Sequence, residues 1–158
     1  MRRKDREVLD FGAMIQIVDA CTVCRLGLVD EGSAPYIVPM NFGYEVEGED
    51  LTLYFHGSKE GRKMSLIRKN GGLASFEMDC GHGLLESDTQ ACGYSYYYES
   101  VCGTGRIEVL EEAGEKEKAL RTIMRHYTDR TGLPMNEKIL ERTCVMSLRV
   151  EEWTCKRH

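Results

Sequence analysis

The sequence predicts a mainly β domain, an antiparallel barrel with helical additions. Residues Tyr36 to Tyr44 place Tyr36, Val38, Met40, Phe42 and Tyr44 on one face at period two, which is the repeat of a half-buried strand. Leu51 to His56 alternates again after the polar turn Glu47-Gly48-Glu49-Asp50, so these strands form a meander. The elements are mostly strands, with one helix inside the strand order and helices near the end. That order differs from the regular alternation that builds a parallel sheet.

Each element follows from local signals. Glu7 to Ala20 carries Val8, Leu9, Phe11, Met14, Ile15, Ile17 and Val18 at helical spacings and reads as a short helix, interrupted or capped near Gly12. Arg25 to Val29 is a short strand, and Asp30-Glu31-Gly32-Ser33 a hairpin turn. Pro39 cannot donate a ladder hydrogen bond, which assigns its strand to an edge or a bulge. The next helix is expected to take Ser58 as its cap and Met64, Leu66 and Ile67 as its apolar stripe, and to end at Asn70-Gly71-Gly72. Leu73 to Met78 and Tyr94 to Leu110 are strands, the second with a bend or a close backbone approach at Gly103-Thr104-Gly105.

Glu115 to Thr128 carries the clearest helical stripe, Ala119, Leu120, Ile123, Met124 and Tyr127, with Glu117 placed to pair with Arg121. Its histidine, His126, is assigned to the polar side, and His82 to a loop. Pro134 is expected to open a short helix containing Ile139 and Leu140, and Val145 to Trp153 closes the chain as a strand.

Composition narrows the function. The 158 residues are 42% hydrophobic and 30% charged, the profile of one globular domain. A net charge of -5 argues against a nucleic-acid binder. No apolar run reaches the ~20 residues that span a bilayer. The basic start at Arg2-Arg3-Lys4 is followed by Glu7 and Asp10 rather than an apolar segment, so the expected location is the cytoplasm. Seven cysteines, an odd number, read as free thiols. Cys21 and Cys24 have the spacing of zinc and redox motifs, but Cys80, His82 and Cys92 supply no regularly spaced second pair. Small core residues are the plainer reading.

His56-Gly57-Ser58-Lys59-Glu60-Gly61-Arg62-Lys63 runs from a strand end into a helix start. First-turn amides lack internal partners and carry a partial positive charge. A glycine, a hydroxyl and the cations Arg62 and Lys63 beside them make an anion site suited to phosphate, the alternative being a solvated basic face. The glycine spacing excludes a P-loop. His56 lies opposite the Leu51, Leu53, Phe55 face and is suited to proton transfer or to a hydrogen bond with a ligand ring; a solvated surface histidine is the alternative. Tyr94, Tyr96, Tyr97 and Tyr98 could stack on a planar ligand, although strand aromatics usually pack.

Pro35 to Tyr44, Leu53 to Lys63, Phe76-Glu77 and Ser100 to Gly105 together resemble the flavin-binding split-barrel proteins, and within them the nitroimidazole-resistance (Nim-type) relatives of pyridoxamine 5'-phosphate oxidase, with likeness from Asp5 to Lys156. The resemblance implies a six-stranded antiparallel split β-barrel that works as a homodimer with FMN, or FAD, between subunits. It further implies that Pro39, Met40, Asn41 and Phe42 lie along the flavin ring, and that His56, Gly57 and Ser58 reach the ring and ribityl phosphate. Arg62 and Lys63 would hold the phosphate, while Ser100 and Val101 come from the partner subunit. The arginines Arg142, Arg149 and Arg157 do not reproduce the substrate-binding set of the true oxidase, which argues against pyridoxamine phosphate oxidation. The favoured reading is a flavin-dependent reductase of small aromatic electrophiles such as 5-nitroimidazoles, with His56 as proton donor. A flavin storage or sensing module without turnover is the alternative, and a thiol or zinc protein the third.

Overall fold

A computed structural model describes residues 3–32 and 34–158. The chain forms β1 (Glu7–Val8), α1 (Phe11–Ala20), β2 (Cys24–Leu28), β3 (Tyr36–Met40), β4 (Phe42–Glu47), β5 (Asp50–Gly57), α2 (Arg62–Lys69), β6 (Leu73–Leu85), β7 (Ser95–Leu110), α3 (Ala113–Tyr127), α4 (Glu137–Arg142) and β8 (Cys144–Arg157). All strand pairs are antiparallel, in the order β3-β2-β6-β7-β8-β5-β4, with β1 added on β8.

The two end strands of that order, β3 and β4, are separated in sequence by Asn41 alone. Two Cα steps span at most about 7.6 Å, so the sheet must roll until its edges meet at this point. The edges do not pair there, which leaves the barrel split between β3 and β4. Counting β3 and β4 as the single bent strand Tyr36 to Tyr44 expected from the sequence, and setting aside the two-residue β1, the barrel has its six strands. Pro39 lies on the edge strand β3, where a missing donor costs least.

The barrel interior is filled by Leu26, Phe42, Leu53, Phe55, Phe76, Met78, Val101, Met146 and Leu148, closed over by Ile17 and Val18 of α1 and by Met64, Leu66 and Ile67 of α2. α3 lies outside this core on β4 and β5. Its backbone approaches Gly43 so closely that a Cβ there would sit 2.6 Å from Ile123 Cα. At the bend of β7, a Cβ on Gly103 would meet Glu152 O at 2.6 Å, and the register against β8 shifts between Thr104 and Gly105. The expected close approach is therefore present.

Several local expectations need correction. α1 starts at Phe11 because the Asp10 carboxylate accepts from Ala13 N at 2.8 Å, while Glu7 and Val8 pair with β8 instead. Ser58 does not cap α2. The cap is Gly61, whose φ of 108° suits a residue without a Cβ, and Ser58 Oγ accepts from Glu60 N inside the preceding loop. The last short helix opens at Asn136, which accepts from Ile139 N, rather than at Pro134. His82 belongs to β6, at the irregularity between Cys80 and Gly83, where it pairs with Asp79 at 2.6 Å. His126 turns inward: its Nε2 meets Cys21 O at 2.7 Å and its ring packs 4.4 Å from Phe42. Of the expected turn Asp30 to Ser33, Ser33 lies outside the described residues.

Candidate functional site at the β5–α2 junction

β5 ends at His56 and Gly57, which pair with Val145 and Cys144 of β8, so the strand end is held from one side by a full ladder. The chain then crosses a short loop and enters α2. His56 is exposed, as its place opposite the Leu53–Phe55 face requires. Lys63, in the first turn of α2, folds back over this strand end. Its Nζ lies 3.3 Å from Met40 Sδ, and a Cβ on Gly57 would sit 2.7 Å from Nζ. Met40, Gly57 and Lys63, from three separate elements, therefore share one small space, and glycine is the residue that leaves that space open.

The two adjacent cations are in opposite circumstances. Arg62 is exposed, donates from Nε and Nη2 to Asp30 Oδ2 at 3.1 and 2.5 Å, and stacks 4.9 Å over the Tyr36 ring. Lys63 is half-buried, and among the described residues it has no carboxylate partner. Burial lowers its pKa, with the Cys144 thiol acting weakly the other way. A desolvated ammonium without a counterion, at the mouth of a helix N-terminus, is an arrangement that an anion would complete.

The β3–β4 junction borders the same space. Pro39 and Asn41 are exposed, whereas the Phe42 side chain is wholly buried in the core. Only the backbone of Phe42 can face a ligand, and its N–H donates to Tyr127 Oη at 3.0 Å, with that hydroxyl donating to Thr22 O at 2.8 Å. Tyr127 thereby pins α3 to the point where the barrel splits. Sequence spacing placed Tyr127 on an apolar stripe; a hydroxyl reaching two backbone groups distant in sequence leaves no local signature.

Ser100 and Val101 are not brought to this site within one chain. Ser100 pairs with Lys156, near the end of β8, whereas Gly57 pairs with Cys144 at its start. Twelve residues of strand at roughly 3.3 Å each separate them. Val101 is fully buried, and Ser100 lines a depression of about 260 Å³ with Cys102, Thr154 and Lys156. Tyr94, Tyr96 and Tyr97 are about half exposed rather than packed. Cys21 ends α1 and Cys24 opens β2, and both are fully buried, so they serve as core residues. Burial pushes both thiols up. Among the described residues no group of three or more His, Cys, Asp or Glu side chains could hold a metal ion, and no helix is long and apolar enough to cross a membrane.

A family model described as pyridoxamine 5'-phosphate oxidase matches residues 12–157. The chain belongs to the pyridoxamine 5'-phosphate oxidase family. Comparison with curated proteins gives no match. Among solved structures, this family member is similar to a Bacteroides thetaiotaomicron protein provisionally described as a 5-nitroimidazole antibiotic resistance protein, with a TM-score of 0.82 and 32% identity over 96% of this chain and 86% of that one. The flavocytochrome Anf3 from Azotobacter vinelandii gives a TM-score of 0.82 at 25% identity, covering 100% and 72%. A FAD- and heme-binding protein from Mycobacterium smegmatis gives 0.80 at 20% identity, covering 96% and 73%, a likeness of fold. The split barrel derived above from strand order is thus the fold of the pyridoxamine 5'-phosphate oxidase family.

Proposed function

We propose that this chain binds FMN at the β5–α2 junction and acts as a flavin-dependent reductase of small aromatic electrophiles such as 5-nitroimidazoles. The observation that carries the reading is Lys63: half-buried, without a carboxylate, and held over the gap that Gly57 leaves beside Met40. A phosphate monoester at this point supplies the missing charge and accepts from first-turn amides of α2. The 32% identity to the B. thetaiotaomicron protein and the 25% identity to a flavocytochrome support both the cofactor class and the substrate class.

Each residue has a part in this reading. Lys63 holds the phosphate, and Arg62 adds a second cation after loosening from Asp30. The exposed backbone from Pro39 to Asn41 borders the ring, while Phe42 anchors that segment to the core. Ser58, exposed in the loop before α2, offers a hydroxyl. The flavin, when bound, supplies the hydride chemistry. His56 delivers a proton to the substrate from the exposed strand end. A homodimer completes the site, because Ser100, with the backbone of the buried Val101, can approach Lys63 only from a second copy. The exposed Tyr96 and Tyr97 lie on β7, and the Ser100 depression between β7 and β8, on the face that such a partner would present.

Denaturing the purified protein and identifying the released small molecule tests the cofactor directly. FMN is expected, together with bleaching of its visible absorbance by NAD(P)H and reoxidation by a nitroimidazole. A colourless protein that takes up no FMN on titration overturns the reading. Bleaching without nitroimidazole-dependent reoxidation removes nitroimidazoles as the substrate class, and bound FMN that NAD(P)H does not bleach leaves a binding module. In His56→Gln, turnover is expected to fall by more than FMN affinity does; unchanged turnover removes His56 from the reaction.

A further inference from the structure

Lys116 is a second cation whose charge the fold leaves unmet. It is 6% exposed, the lysine most deeply buried among the described residues, yet it makes no ion pair. Its ammonium has three donors. One reaches Leu140 O in α4 at a long 3.4 Å. A buried ammonium in this state is costly unless something else accepts from it. Lys116 lines a pocket of about 70 Å³ together with Lys59 and Arg68, neither of which forms an ion pair among the described residues. Arg68 Nη2 has one backbone contact, Lys59 O at 3.3 Å. Glu111 is the one carboxylate in the lining, while Met64, Val109 and Cys144 supply apolar and thiol surface.

We infer that this pocket, between α2, the end of β7 and the start of α3, is a small-oxyanion site that takes a phosphate group through Lys116, Lys59 and Arg68. It adjoins the flavin site, since Lys59 belongs to the loop before α2 and Cys144 pairs with Gly57. The Lys63 and Lys116 ammoniums both oppose the effect of burial on the Cys144 thiol, so they act on it together, yet Lys63 reaches towards Met40 whereas Lys116 reaches towards Leu140 of α4. The small pocket shares Lys59, Glu111 and Lys116 with a neighbouring cavity of about 560 Å³ between α3 and α4. That cavity also carries Glu117, Glu137 and Glu141. The acidic rim selects against a polyanion, so the ligand is either inorganic phosphate or a compound with one phosphate on an uncharged or cationic body.

The test uses the full chain carrying Arg62→Ala and Lys63→Ala, which removes the cations of the flavin site. Calorimetric titration with inorganic phosphate is expected to show binding in this background, weakening with added salt. Adding Lys116→Met, which keeps the aliphatic stem and deletes the charge, is expected to weaken it at least tenfold. Arg68→Ala, at an exposed position, is expected to weaken it severalfold and serves as the test should Lys116→Met not fold. Titration with glycerol phosphate identifies the source: tighter binding than phosphate assigns an organic ester, weaker binding the free ion. No phosphate binding in the parent background, or affinity unchanged in both Lys116→Met and Arg68→Ala, overturns the inference.

Discussion

Two of the regions of this barrel that bury charge treat it in opposite ways. Where α3 crosses β4 and β5, Glu45 accepts from Lys118 Nζ at 2.7 Å, from Tyr54 Oη at 3.0 Å and from Thr122 Oγ1 at 3.4 Å. Burial alone would raise the Glu45 pKa, but the hydrogen bonds from Lys118, Tyr54 and Thr122 outweigh it and the net shift is downward. At the β5–α2 junction the half-buried Lys63 has no such partners and its pKa is lowered by burial. A satisfied network holds one element on another. An unsatisfied charge that the fold nevertheless keeps marks the place where a ligand is expected.

That contrast can be broken experimentally, and the largest effect belongs to the unsatisfied side. Replacing Arg62 and Lys63 together by alanine is expected to cost roughly 3–5 kcal/mol of FMN affinity, since charge-assisted phosphate bonds contribute about 1.5–3 kcal/mol each. Lys63→Ala alone accounts for the greater share, because Arg62 has Asp30 to satisfy it. FMN titration of the double and single variants checks this, with folding stability unchanged or higher. Affinity also falls with rising pH, starting at a lower pH than for an ordinary lysine, because the lowered Lys63 pKa means that its ammonium is lost earlier.

On the satisfied side the expected losses are in stability. Gly43→Ala forces a Cβ against the α3 backbone and is expected to destabilise by about 1–3 kcal/mol in denaturant unfolding. A neutral result would mean that α3 is not seated on β4. Glu45→Gln comes next, at about 1 kcal/mol, since the network keeps part of its hydrogen bonding. Its pH signature has a definite sign. Because the folded Glu45 pKa is depressed, its contribution is present above the unfolded carboxylate pKa of about 4.3 and is lost as pH falls through the lower folded value. Tyr54 acts at the other end. With its pKa raised to about 12, chiefly by burial and then by Glu45, its contribution is present below the unfolded value of 10.0 and disappears as pH rises towards about 12. The stability profile of Glu45→Gln should lose the acid limb and weaken the alkaline one.

Ser58→Ala gives the smallest effect. A true helix cap contributes about 1 kcal/mol, but Ser58 bonds only within the loop before α2, so the loss should stay under about 0.5 kcal/mol. A larger loss of stability would restore Ser58 as a cap.

Much of the fold was legible because it rests on short-range periodicity. The alternation through Tyr36 to His56, the stripe of α3 and the glycine bend of β7 each lie in a few neighbouring residues and reappear in place. The errors fell where a distant partner decides. Glu7 and Val8 are strand because β8 is beside them. His126 is turned inward by the Cys21 carbonyl and the Phe42 ring. The candidate site divides the same way: His56-Gly57-Ser58 and Arg62-Lys63 could be read from one segment, whereas Asp30 beside Arg62, Met40 beside Lys63 and Tyr127 on Phe42 could not.

Sequence alone determined the strands from β2 onward, the glycine-and-cation run at the end of β5 and the charge balance, since each depends on residue type and spacing along one stretch of chain. Tertiary structure decided which cations remain without a counterion. Arg62 and Lys63 are neighbours of like charge, and nothing local distinguishes them. The hairpin that carries Asp30 reaches one, and the roll of the sheet buries the other against Met40 and Gly57. Burial and pairing are properties of what packs around a side chain, so they appear only once the barrel has closed on itself.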